Sequence, residues 1–191
     1  LSAPFADLEG RFDVILADPP WRFAGNSEKR PGRNAFGHYP CMRLPDIMAL
    51  PVKEIASKDA LLLMWVTVPF AELAFDVVKA WGFKYKSQVT WQKDRIGTGY
   101  WARNRHEPVY ICTRGRFPCP KPTLFSDSVI ERPRQEHSRK PPDIHRAVNR
   151  ALPDARKLEL FARSSSEPHL RGWNVWGNQT EKFSSKDSTS E

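Results

Sequence analysis

Ala60-Leu61-Leu62-Leu63-Met64-Trp65-Val66 is an unbroken apolar run, and it constrains this chain more than any other stretch. It falls far short of the ~18 apolar residues that a membrane-crossing helix needs. A strand with no polar side must instead be covered on both faces, so the run predicts an inner strand of a sheet with helices above and below it. The next residues supply one such helix. Thr67 is placed to cap it and Pro69 suits its first turn, while Phe70, Leu73, Ala74, Val77, Val78 and Trp81 form one apolar stripe that Gly82 ends.

Further strands are predicted over residues 12–17, 84–91, 109–113, 157–162 and 173–176, and helices over 44–50 and from Pro142 onward. In the last helix Ile144, Ala147, Val148 and Ala151 would face inward. Strands alternating with amphipathic helices imply an α/β fold, a sheet with helices on both faces. Ligands in such sheets lie at the carboxyl ends of the strands. Two of the strands run into chemically useful residues there, Asp18 after the first and Arg163 after the strand at 157–162. With 191 residues and 40% apolar content, the chain suits one domain over 1–183, followed by a polar tail (184–191) expected to be disordered. The N-terminus carries no basic segment followed by an apolar run, so an intracellular, cytoplasmic protein is expected, nucleoid-associated if bacterial.

Charge narrows the partner. The net charge is +8, the footprint of a polyanion-binding surface. The cations gather in three aperiodic loops: Arg22, Lys29, Arg30 and Arg33; Lys93, Arg95, Arg103 and Arg105; and Arg132, Arg134, Arg139 and Lys140. Phe23, Phe36, Tyr39, Tyr100 and Trp101 lie among them, as phosphate contact combined with base stacking requires. Arg103 and Arg105 are the expected phosphate contacts. The three cysteines, Cys41, Cys112 and Cys119, lack the spacing of a zinc site or a disulfide framework. His106 and His137 have no companion at metal-ligand spacing, and no metal is expected. A dinucleotide cofactor has no support either, because no Gly-x-Gly-x-x-Gly occurs. Monomer and homodimer both remain open.

The residues that follow the first strand, Asp18-Pro19-Pro20-Trp21, suit one difficult chemistry. The exocyclic amine of adenine is a poor nucleophile because its lone pair is delocalised into the ring. A carboxylate accepting one N–H and a backbone carbonyl accepting the other would draw it toward tetrahedral geometry, roles open to Asp18 and the Pro19 carbonyl. Two prolines stiffen the turn and remove competing donors. Trp21 offers a flat face for an extruded base. A simple turn after a strand is the plainer reading of the same residues.

The motif and its companions resemble the MT-A70 family of adenine-N6 methyltransferases, whose signature is this Asp-Pro-Pro-Trp. His38-Tyr39-Pro40-Cys41-Met42 resembles the family's tyrosine-centred segment, and 62–67 its buried strand. His137-Ser138-Arg139-Lys140-Pro141 resembles its Ser-x-Lys-Pro stretch, and Lys157-Leu158-Glu159-Leu160-Phe161-Ala162-Arg163 its cofactor strand. Gly172-Trp173 with Gly177-Asn178-Gln179 resembles its closing motif. These segments span residues 10–180 in the family's order.

The resemblance implies a Rossmann-like domain that uses S-adenosylmethionine and acts on nucleic acid, with DNA favoured over RNA by likeness to short bacterial or phage members. A catalytically silent binding relative is a third possibility, but such relatives lose the Asp or the Trp. Asp18, Pro19, Pro20 and Trp21 would be catalytic. Asp18, Pro19, Lys140, Glu159, Phe161, Arg163, Asn178 and Gln179 would hold the cofactor, and Tyr39 would border the base beside Trp21. Taken singly, Lys140 reads as a solvated charge, Glu159 as a water-facing strand residue and Asn178 as a turn former. Ser164, Ser165 and Ser166 depart from the pattern, standing where the family places a His-Asn pair against the ribose.

Overall fold

A computed structural model describes residues 4–21, 41–97, 99, 101–135, 139–178 and 180. The first basic loop, Tyr39, His137, Ser138, Gln179 and the polar tail lie outside them.

Seven strands form one sheet in the order β5-β3-β4-β2-β1-β6-β7. They are β1 (Phe12–Ala17), β2 (Ala56–Trp65), β3 (Lys84–Gln92), β4 (His106–Arg114), β5 (Val129–Glu131), β6 (Lys157–Leu160) and β7 (Trp173–Trp176). The helices are α1 (Leu44–Met48), α2 (Val52–Ile55), α3 (Ala71–Ala80) and α4 (Asp143–Ala151). β2, β1, β6 and β7 run parallel, while β4 is antiparallel to both β2 and β3. The sheet is therefore mixed.

Beyond the register shift between Phe12 and Val14, period-two alternation divides the two inner strands between two cores, as the unbroken apolar run requires. Phe12, Ile15 and Ala17 with Leu62 and Met64 pack under α1, α2 and α3. Val14 and Leu16 with Leu61, Leu63 and Trp65 pack under Ile144, Ala147 and Val148 of α4. Trp81 is fully buried and its indole N–H donates to the Ile47 carbonyl at 2.9 Å, fastening α3 to α1.

The helix expected after Thr67 begins as a 3-10 turn (Val68–Phe70) and becomes α-helical at Ala71. Thr67 does not cap it: its hydroxyl is buried and has no hydrogen-bond partner. β6 stops at Leu160, two residues short of expectation, because Phe161 adopts φ +65 and turns the strand. α2 and β5 were not expected; β5 adds parallel to β3 out of the Pro-rich segment. No helix among the described residues is long and apolar enough to cross a membrane.

Register positions the site. Ala17 pairs with Met64 on one side and Leu160 on the other, and Leu160 pairs with Trp176. Strands β2, β1, β6 and β7 thus end level with one another. The chain leaves β1 for β2 on one side and returns later to β6 on the other, so β1 borders the point where strand order reverses. The crevice beyond such a point is where open α/β sheets bind ligands. Asp18 stands at its mouth.

Candidate active site

Asp18 follows β1 directly, and its backbone N–H reaches the Leu160 carbonyl at 3.4 Å. Its carboxylate Oδ2 accepts a hydrogen bond from Lys140 Nζ at 2.8 Å, from a residue 122 positions away. Lys140 also lies 3.5 Å from Glu107 Oε2, and Glu107 Oε1 accepts from Lys93. Lys93, Glu107, Lys140 and Asp18 therefore form a row of alternating charge along the strand ends. Each keeps a quarter or less of its side-chain surface exposed, so water screens the row poorly. Trp65 and Trp91 lie beneath it, their rings 5.5 Å from Lys140 Nζ and 4.7 Å from Lys93 Nζ.

Burial pushes the Asp18 carboxyl above the ordinary aspartate value; Lys140 opposes that by charge and hydrogen bond, and the Glu107 and Glu159 charges add to the rise. Burial also pushes Glu107 upward, but the Lys140 and Lys93 ammonium groups outweigh it and hold this carboxyl below its ordinary value. The two acids are thus driven apart, Glu107 toward permanent charge and Asp18 toward proton exchange nearer neutrality.

The turn after Asp18 differs in detail from expectation. The Pro19 carbonyl accepts the Trp21 N–H at 2.9 Å, leaving one lone pair for an outside donor. The Pro20 carbonyl accepts the Met42 N–H at 2.9 Å, which ties the motif to the chain entering α1. Trp21 is not an open platform. Its indole is 4% exposed and stacks on Phe70, with centroids 5.3 Å apart and planes 19° from parallel. The stack expected for a base is made on one face by Phe70, because an indole beside an apolar ring gains more from mutual burial than from water.

Glu159 Oε2 accepts a hydrogen bond from His145 Nε2–H at 2.9 Å. His145 is 5% exposed, in α4, with His169 at 4.6 Å and Trp173 at 5.0 Å in edge contact. Phe161 sends its ring against Trp176, 5.7 Å away, while its backbone turns at the strand end. Arg163 is half-buried just beyond, and Asn178 is an exposed turn residue after β7. Gly177 must be glycine: a Cβ there would lie 2.4 Å from the Ala162 carbonyl oxygen. Beside Lys140, a cleft of about 510 Å³ opens toward Arg139, Arg146 and Glu167. Arg103 and Arg105 are exposed on the loop between β3 and β4, where Arg105 is bonded to the backbone of Lys93 at one end of the charged row. Tyr39 and Gln179 fall outside the described residues.

Glu107 and His145 were missed by sequence reasoning. Glu107 precedes an apolar strand and reads as its solvated end. His145 sits beside an apolar stripe and reads as part of the helix's outer face.

The residues fit a bound polar ligand. Trp21 Nε1 after β1, Thr67 Oγ1 after β2 and Ser164 Oγ after β6 are buried polar atoms without a hydrogen-bond partner. Unmet buried donors and acceptors are uncommon and costly. These three follow three adjacent strands, at the same edge of the sheet as Asp18.

The MT-A70 family model matches residues 12–179. "Type II methyltransferase M.MunI" of Mycoplasma sp is 28% identical over 183 residues, covering 87% of this chain and 77% of its own length. "N(6)-adenosine-methyltransferase MT-A70-like" of Arabidopsis thaliana is 32% identical over 181 residues, 91% of this chain but 24% of its own length. "N(6)-adenosine-methyltransferase catalytic subunit METTL3" of Homo sapiens is 28% identical over 180 residues, covering 89% of this chain and 28% of its own length. The chain thus spans about a quarter of these plant and human relatives, and most of the mycoplasma one. With a single family model accounting for the Asp-Pro-Pro-Trp turn, every strand and all the described residues but 4–11 and 180, the chain belongs to the MT-A70 methyltransferase family.

Proposed function

We propose that this chain transfers a methyl group from S-adenosylmethionine to the N6 amine of adenine in a nucleic acid, with DNA as the favoured substrate. The observation that carries the reading is Asp18 at the strand-order reversal, held by Lys140 and followed by a carbonyl with one lone pair to spare.

Asp18 accepts one N–H of the adenine amine and the Pro19 carbonyl accepts the other. Together they hold the nitrogen with its lone pair turned toward the methyl donor. Lys140 keeps Asp18 ionised enough to accept, against the burial that would protonate it. As the amine becomes a cation on alkylation, the Asp18 charge stabilises it, and its surplus proton leaves through the carboxylate or water. S-adenosylmethionine supplies an electrophilic methyl on a sulfonium. Lys140, Glu159, Phe161, Arg163, Asn178 and Gln179 would hold that cofactor around the unsatisfied polar atoms at the strand ends. Glu159 arrives already oriented by His145. Trp21, stacked on Phe70, serves as a rigid wall of the base pocket, with Tyr39 bordering it.

DNA is supported by the likeness to the Type II methyltransferase, which extends over the greater part of both chains. The relatives named N(6)-adenosine-methyltransferases favour RNA as the second reading. Incubation with methyl-labelled S-adenosylmethionine and separate DNA and RNA pools separates them. Label in DNA alone is expected; label in RNA alone selects the second reading, and label in neither removes both.

A further inference from the structure

Beyond β3 and β4 the chain forms a built finger. Lys93 N–H donates to the Arg105 carbonyl at 2.8 Å, and Gly97 N–H to the Asn104 carbonyl at 2.7 Å. Two arginines hold the finger to its own backbone: Arg103 Nε donates to the Gly97 carbonyl at 3.0 Å and Arg105 Nε to the Lys93 carbonyl at 3.1 Å. A Cβ on Gly99 would lie 1.9 Å from the Ala102 carbonyl oxygen, so the bend admits only glycine. At its base, Lys93 bonds Glu107 of the charged row, and the Asp94 carboxylate accepts the Arg134 N–H at 2.8 Å. The second and third basic loops are thereby joined. At its tip, Trp101 stands wholly in water, at 103% exposure, and Ile96 on the stem is 59% exposed. Arg95, Arg103 and Arg105 of the same finger are all exposed.

A large aromatic ring offered to solvent on a loop that also carries exposed cations is matched by one kind of partner. Its surface is flat, apolar in the middle and anionic at the edges, as is a nucleobase between phosphates. We propose that Trp101 is a stacking platform for an unpaired base of the substrate strand, separate from the adenine that enters the crevice at Asp18, with the three arginines holding the flanking phosphates. This rests on the nucleic-acid reading above. Every base has a π face, so the platform selects a position along the strand and not a sequence. Trp101 lies six positions before Glu107 of the charged row, at most about 20 Å of extended chain. The Glu107 side chain and its contacts through Lys140 to Asp18 add roughly another 10 Å, and a stacked strand advances about 3.4 Å per nucleotide. The platform base therefore lies within about nine nucleotides of the target adenine.

The test uses single-stranded DNA and RNA oligonucleotides with one adenine, in which each other position is made abasic in turn. Affinity is read by fluorescence anisotropy and methyl transfer in parallel. One abasic position within about nine nucleotides of the adenine should weaken wild-type binding roughly tenfold. Trp101→Ala should weaken binding of the intact strand to the same extent and abolish that positional penalty, while Trp101→Phe keeps most of both. Unchanged affinity in Trp101→Ala, or a positional penalty that persists in it, overturns the inference. So does a variant that turns a wild-type dimer into a monomer in sedimentation without changing strand affinity, which makes the tip a contact between copies. A wild-type protein that neither binds nor methylates any strand brings down the nucleic-acid reading itself, an outcome distinct from failure of the platform alone.

Discussion

Asp18 and Lys140 are a pair in which each residue explains the other. Burial raises the Asp18 carboxyl above its ordinary value and so works against its accepting form, and the ammonium 2.8 Å away counters this. Because the reaction needs the ionised form, activity should rise with pH through the raised Asp18 value. Lys140→Met removes the opposing influence, so the acid limb of the rate profile should move to higher pH. An acid limb that stays in place would show that Lys140 does not tune Asp18. Stability runs the other way: a raised folded-state pKa means folding loses free energy as pH rises through it. Asp18→Asn should therefore leave the neutral-pH Tm at or above wild type while lowering turnover more than tenfold, upward of about 1.4 kcal/mol in the barrier. Trp21 behaves differently. It is buried against Phe70, so Trp21→Ala should destabilise the fold by about 3–5 kcal/mol in denaturant titrations. A change within about 0.5 kcal/mol would be that of a surface residue and would deny the buried stack.

The strand ends bring together residues that sequence order scatters from Asp18 to Asn178. Gly177→Ala tests how tightly they are closed, because its Cβ would sit 2.4 Å from the Ala162 carbonyl oxygen. A lowered Tm together with weaker S-adenosylmethionine binding is expected; an unchanged Tm would mean that β7 moves freely away from β6. The inner strands were legible because burial on both faces leaves an unbroken apolar run, as in 60–66, and β1 was marked by the motif that follows it. Other features carried no such mark. Nothing in Leu160-Phe161-Ala162 signals the left-handed turn that ends β6, since non-glycine residues take it only when surroundings impose it. β5 has three residues in a Pro-rich stretch, too few for periodicity to register. Glu107 and His145 acquire partners only through tertiary contact, with Lys140 and with Glu159. Their roles are absent from any local pattern.

At the scale of the whole molecule, positive charge and the open crevice share one edge of the sheet. The finger after β3 meets the segment around Arg134 at Asp94 and meets the crevice through Lys93 and Glu107. Binding of a strand should therefore weaken steeply with salt, the log–log slope following the number of phosphates neutralised. Arg95→Gln should reduce that slope by about one, and Arg103→Gln with Arg105→Gln by about two, with cofactor affinity unchanged. An unaltered slope would place the strand elsewhere. The most direct test of the account is the chemical identity of the product. DNA treated with wild-type protein and S-adenosylmethionine, digested to nucleosides and resolved by mass spectrometry, should yield N6-methyldeoxyadenosine, and the Asp18→Asn protein should yield none above background. A methyl group on cytosine or on another atom of adenine, or equal N6 methylation by both proteins, would contradict it.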